Sequence, residues 1–266
     1  MRWSVFTSAL RTGALAGLLL VASGTVGCTS RTSGKPSAYR SQVVIAVDIG
    51  HSPTRPGATS ARGRPEYEFN QVTAIALVEE LRQRGYSGSF LINEAGADIE
   101  LSERTSEARR RKADLFISIH HDSVQPHYLT EWEFSGKTLK YSDAFKGFSV
   151  FYSGNNGQPA ASERLAVRVG EELVGGGFTP TLHHAEAIDG ENRQLMDART
   201  GVYKFDELAV LRTASMPAVL IECGVIVNRD EELLVSTAEY RRGLVSAVAN
   251  AVERTLLSDH SGHQSR

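Results

Sequence analysis

Four ionisable residues stand where side chains can do chemistry. His51 follows the β-branched run Val43-Val44-Ile45-Ala46-Val47 after Asp48-Ile49-Gly50, and His120 closes Leu115-Phe116-Ile117-Ser118-Ile119. Glu222 closes Pro217-Ala218-Val219-Leu220-Ile221, and Glu66 comes directly after Pro65, where a helical period begins. A charge at the end of a buried run is costly unless it is paired or used. Two imidazoles and one carboxylate are the protein ligands of a catalytic zinc with an open position, where the pKa of water falls to about 7. A further carboxylate nearby can take the proton of that water during attack on an amide and return it to the leaving amine. This chemistry assigns His51, Glu66 and His120 to the metal and Glu222 to acid–base work. Glu68, in the same helical turn as Glu66, competes for the metal position.

The elements around these residues must bring them together. Short apolar runs with polar borders read as strands buried on both faces, and in an open α/β sheet their C-terminal ends share the edge that binds ligands. Adjacent residues on a strand face opposite ways, so His120 and His121 cannot share a task. A helix is expected over 66–85 from the spacing of Ala74, Leu77, Val78 and Leu81, then a strand over 89–93 and a helix capped by Ser102. A strand over 148–152, a helix over 162–174 and a final helix with a capping box at Ser236-Thr237-Ala238-Glu239 complete the pattern. The fold class is α/β: a single domain with a central, mostly parallel or mixed twisted sheet and helices on both faces, phosphorylase/hydrolase-like. The loop over 52–65 is rich in Pro and Gly, and the stretch 124–147 is long enough to be a lid or an excursion.

With 266 residues, a net charge of -2 and 23% charged residues, the chain suits one ordinary domain and lacks the basic balance of a nucleic-acid binder. Residues 1–27 carry Arg2 and Arg11, a short apolar stretch and a small-residue exit, the pattern of an export signal peptide. Running into Cys28, the leader resembles a bacterial lipoprotein signal, with Thr25 in place of the usual bulky aliphatic residue. The expectation is export to the periplasm or cell envelope, with a lipid anchor on Cys28 in the membrane and a flexible tether over 28–42. The other reading is an ordinary cleaved signal. Cys28 and Cys223 lie in different contexts, which argues against a disulfide framework. The catalytic domain is expected over 43–257, with a frayed tail over 258–266.

The motifs, taken together, resemble those of the zinc-dependent N-acetylmuramoyl-L-alanine amidases. The family's strand followed by Asp-Pro-Gly-His is similar to Val47-Asp48-Ile49-Gly50-His51, and its Gly-Ala and Glu-x-x-x-Asn appear as Gly57-Ala58 and Glu66 to Asn70. Its Ser-Ile-His is Ser118-Ile119-His120, and its Pro-Ala-Val-Leu-x-Glu-x-Gly followed by Asn is 217–224 with Asn228. The resemblance implies hydrolysis of the amide between N-acetylmuramic acid and L-alanine in peptidoglycan, with Zn2+ on His51, Glu66 and His120 and Glu222 catalytic. His121, Arg212 and Asn155 are candidate substrate or supporting contacts, and an activator protein is a candidate partner. Ile49 and Ser52-Pro53 depart from the family pattern around the first histidine. Two other readings are a zinc peptidase or carboxypeptidase on a related sheet and an inactive peptidoglycan-binding protein.

Overall fold

Side-chain alternation along three strands divides the core in two. In β1 (Ile45–Ile49), β3 (Leu115–Asp122) and β9 (Ala218–Val225), the odd residues Ile45, Val47, Ile117, Ile119, Val219 and Ile221 enter one apolar cluster. Ala46, Phe116, Ala218 and Leu220 enter the other. The first cluster is covered by α1 (Glu66–Gln83), α3 (Pro159–Gly175) and α6 (Ala238–His263), through Leu77, Leu165, Val169, Leu244 and Val248. The second lies beneath α2 (Leu101–Arg110) and the one-turn α4 (Ala209–Arg212), through Ala108, Val210 and Leu211. Continuing the same period sends Asp48, His120 and Glu222 to the α2 and α4 side, and His121 and Cys223 to the α1 and α6 side.

The computed structural model describes residues 38–263. Its central sheet has seven strands in the order β2-β1-β3-β9-β6-β8-β7, with β2 (Phe90–Ile92), β6 (Ser149–Tyr152), β7 (Gln194–Asp197) and β8 (Val202–Lys204) completing it. Pairing is parallel from β2 through β9 and antiparallel between β9 and β6 and between β8 and β7. The mixed α/β sheet with helices on both faces agrees with the fold class read from the sequence.

The stretch 124–147 is an excursion built on a separate hairpin, β4 (Thr130–Phe134) and β5 (Lys137–Tyr141). An isolated hairpin is marginal in water. This one is held by Trp132, whose indole N–H donates to the Ala61 carbonyl at 2.9 Å, and by the Arg229 guanidinium over the Tyr141 ring. It leans on the loop after β1 and on α5 (Arg229–Val235) and lines neither of the cavities described below.

Several boundaries move. The cap of α2 is at Glu100, whose backbone N–H is taken by the Glu103 carboxylate at 2.8 Å, so Ser102 lies inside the helix. Thr237, not Ser236, caps α6: its Oγ1 accepts the Tyr240 N–H, while the Ser236 hydroxyl donates back to the Glu232 carbonyl. α3 opens at Pro159, where the missing N–H and fixed φ suit a first turn. Of the segment expected as a tether, Arg40–Gln42 form a 3-10 turn, and α6 runs to His263, beyond the boundary expected at 257. The expected leader over 1–27, Cys28 and the rest of the expected tether through 37 lie outside the described residues, as do 264–266 of the tail. Cys223 is a buried free thiol. Among the described residues no helix is long and apolar enough to cross a membrane.

Candidate functional site

The strand ends converge at one edge of the sheet. Glu66, in the first turn of α1, places Oε2 3.1 Å from His51 Nε2 and Oε1 3.1 Å from His120 Nδ1. Ring centroids of the two histidines are 4.9 Å apart. The three donor atoms all lie within 4.8 Å of one another. Glu68, the competing carboxylate, is turned to solvent beside Arg64.

Glu66 is 4% exposed and heavily supported. The Ala58 backbone N–H donates to its Oε2 at 3.0 Å, and the His121 backbone N–H to its Oε1 at 3.2 Å. Asn70, one turn along α1, donates its amide to the same Oε1 at 3.0 Å and to the Gly50 carbonyl at 3.2 Å. Burial alone would raise the Glu66 carboxyl, but the His120 and His51 imidazoles outweigh it and hold the group well below the usual carboxylate range. Glu66 is therefore an anion between two imidazoles.

His121 belongs to the support. Because the Asn70 amide nitrogen is occupied with Glu66 and Gly50, Oδ1 is left to accept, and the His121 Nδ1–H donates to it at 2.9 Å. Burial pushes the His121 imidazole down to about 3, so the ring is neutral. It lies against Phe69 on the α1 side of the sheet, facing away from His120.

The His51 loop is held in an unusual shape. His51 has φ 68°, the left-handed region, uncommon for a residue with a Cβ. The buried Arg104 braces this turn from α2. Its Nη2 donates to the His51 carbonyl at 2.6 Å, and its Nη1 bridges the Ile49 carbonyl and Asp48 Oδ1. The second Asp48 oxygen accepts the Ser118 hydroxyl at 2.7 Å. Gly57, with φ 78°, is required nearby, since a Cβ there would strike Glu66 Oε2 and the His51 ring. A Cβ at Gly50 would enter the His120 ring.

Glu222 sits on β9 directly across from His120. Its Oε2 is shielded from solvent and has no hydrogen-bond partner among the described residues. Burial, reinforced by the negative charges of Asp122 and Glu66, pushes its carboxyl well above the ordinary range. It lines a cavity of about 170 Å³ with Phe151, His184, Glu191, Arg193 and Phe205. His51 and His120 line another, of about 260 Å³, with Arg55, Ile99 and Val210. Neither cavity is lined by Arg212 or Asn155, both exposed.

Sequence reasoning missed Arg104 and a second cluster made by Asp122, His183 and His184. For Arg104 the available signal was its i, i+4 spacing with Ala108 on the inward face of a helix. For the cluster it was a second adjacent histidine pair, His183-His184, with Glu191 seven residues on.

The donor set of His51, Glu66 and His120 fits a zinc-class cation. Its His–Glu separations of 3.1 Å compare with the roughly 3.3 Å expected between ligand atoms about 2 Å from a tetrahedral metal. An α/β sheet that carries this set beside a shielded glutamate at one edge has the make-up of a metal-assisted hydrolase. The chain matches the model of the N-acetylmuramoyl-L-alanine amidase family over residues 45–254, and it belongs to that family. It is 25% identical over 233 residues to the amidase AmiC of Neisseria meningitidis, covering 79% of this chain and 52% of that protein. It is 26% identical over 249 residues to AmiA of Escherichia coli, covering 84% and 80%. The chain thus spans about half the length of AmiC of N. meningitidis and of the probable AmiB of Haemophilus influenzae. Among solved structures, the amidase Ami1 of Mycobacterium smegmatis superposes with a TM-score of 0.62 at 21% identity, covering 82% of this chain and 98% of that one, a likeness of fold.

Proposed function

We propose that this chain hydrolyses the amide between N-acetylmuramic acid and L-alanine in peptidoglycan, with Zn2+ held by His51, Glu66 and His120 and with Glu222 as acid and base. The observation that carries the reading is the meeting of those three donors with an unpartnered Glu222 across from His120, in a chain of the amidase family. When bound, the cation supplies Lewis acidity to the scissile carbonyl and acidifies water. Glu66 holds both imidazoles by its two oxygens, and Ala58, Asn70 and His121 fix its orientation. With a cation on the three donors to draw the raised Glu222 carboxyl back to its ionised form, its Oε2, free of other partners among the described residues, would take the proton of the attacking water and deliver it to the amine of L-alanine as the C–N bond breaks.

Digestion of purified murein tests the reading. Intact stem peptides with free L-alanine amino groups are the expected products, whereas shortened peptides would indicate a peptidase. Binding to murein with no release of peptide in added Zn2+ would indicate an inactive binding protein, a weaker reading because every presumed metal and base position is filled. Glu222→Gln is expected to keep Zn2+ and lose about 10²–10⁴-fold in hydrolysis. His120→Ala is expected to lose Zn2+, read as metal content. Near-normal turnover in Glu222→Gln would overturn its assignment.

The leader and Cys28 support export and anchorage in the cell envelope. Palmitate labelling that disappears in Cys28→Ala is the expected result.

A further inference from the structure

We propose that Asp122, His183 and His184 form a second divalent-cation site of the zinc class, separate from the one on His51, Glu66 and His120. Asp122 is the last residue of β3, two places beyond His120, and His183 and His184 lie in the 3-10 turn His183–Ala185 between α3 and β7. Both imidazoles aim Nε2 at one carboxylate oxygen. Asp122 Oδ2 is 3.2 Å from His183 Nε2 and 2.8 Å from His184 Nε2, while its Oδ1 accepts the Ser123 N–H at 2.7 Å.

The far side of each ring is already fixed. His183 Nδ1 is 2.8 Å from the Thr181 hydroxyl, and His184 Nδ1 is 2.9 Å from Glu191 Oε2. Metal-bound histidines commonly have this arrangement, with the outer nitrogen held by a hydroxyl, carbonyl or carboxylate and the inner nitrogen left for the ion. Glu191 is itself held by the Gln125 amide at 2.8 Å, so the support reaches a third layer.

A plain buried ion pair accounts for only half of the cluster. His184 and Asp122 alone make one, at 2.8 Å, with Glu191 holding the far nitrogen of the ring. His183 is then unexplained. It is 3% exposed, and its buried Nε2 has, among the described residues, only the 3.2 Å approach to the Asp122 oxygen that His184 already occupies. The two rings are 4.0 Å apart by centroid and tilted by 36°, so a proton on each would set two cations side by side. One cation shared by Asp122 Oδ2 and the two Nε2 atoms satisfies all three. Two imidazoles and a carboxylate select Zn2+ and its neighbours over Mg2+ or Ca2+, which take oxygen ligands. Tyr203, Phe151 and Phe145 wall the rings, and His184 and Glu191 border the cavity that Glu222 lines.

The inference does not depend on amide hydrolysis, and metal counting tests it without an activity readout. Native mass spectrometry of the purified protein with Zn2+ is expected to show two bound equivalents. One should remain in His51→Ala/His120→Ala and one in His183→Ala/His184→Ala. A single wild-type equivalent that survives in His183→Ala/His184→Ala and vanishes in His51→Ala/His120→Ala would overturn the second site and leave the first standing. Because His183→Ala/His184→Ala could fail to fold, His51→Ala/His120→Ala, which keeps the second cluster whole, is also titrated with Co2+. Ligand-field absorption that saturates at one equivalent, and is lost on adding Asp122→Asn, supports the site. A folded variant, by circular dichroism, that shows no such absorption rejects it.

Discussion

Asn70 shows how much of the candidate metal centre rests on residues outside its donor set. Its amide nitrogen connects Glu66 to the Gly50 carbonyl, and its oxygen receives His121. Asn70→Ala leaves a buried carbonyl and a buried imidazole N–H without partners, a cost of about 1–3 kcal/mol. It also frees the Glu66 carboxylate to rotate, and Zn2+ affinity should fall about 10–100-fold. Chelator competition and thermal unfolding measure the two effects; unchanged affinity would remove Asn70 from the positioning role. His51, Glu66, His120 and Glu222 were legible in the sequence because each stands where an apolar period stops or a helical one starts. The task of His121 was not. Alternation shows that it faces away from His120, but its partner is 51 residues distant, and nothing local says whether that side is core or solvent. Arg212, at the end of α4, and Asn155, in the turn after β6, line neither cavity, and nothing local to either says whether it faces the cleft or leaves it.

Among the elements, α2 has a role that its own pattern conceals. It reads as a short polar helix, yet it carries Arg104 into the end of β1, where the guanidinium holds Asp48 and the carbonyls of Ile49 and His51. Removing one partner of a buried ion pair costs about 3–5 kcal/mol, largely because the other charge is stranded. Arg104→Met should therefore destabilise the protein by about that amount, and adding Asp48→Asn should restore part of it. Urea unfolding measures both, and additive losses in the double variant would show that the pair is not coupled. The strands with β-branched runs were plain in the sequence, since burial on both faces leaves no other reading for Val43 to Val47 or Leu115 to Ile119. The caps were less so. Ser236 and Thr237 are adjacent hydroxyls, and the spacing to Glu239 favoured the first while the backbone chose the second. β7 and β8 escaped because Gln194–Asp197 and Val202–Lys204 are too short for a period to establish itself, and their pairing depends on β6, which the sequence does not place beside them.

For the molecule as a whole, Glu231 makes stability depend on pH. It is buried under the junction of β6 and β9, where the N–H groups of Gly147 and Val225 reach its carboxylate at 2.8 and 3.0 Å. Burial pushes its carboxyl up to about 7 against those two donors, from an ordinary value of 4.5. The folded chain keeps a proton that the unfolded chain releases above 4.5, so this contribution to stability is full below that pH and is lost as pH rises through about 7. The difference amounts to about 3 kcal/mol. Glu231→Gln should flatten the wild-type fall in stability between about pH 5 and about pH 8, as measured by unfolding free energies; parallel curves would assign the dependence to other groups. The reversal of direction between β9 and β6 has a consequence for how the fold can vary. β3 leaves the sheet at the edge that bears the site, and β6, antiparallel to β9, enters from that same edge, with Ser149 opposite Glu222. The chain between them never has to cross the sheet. The β4–β5 hairpin is thus a plug-in segment: it can be lengthened or trimmed without rethreading a single strand.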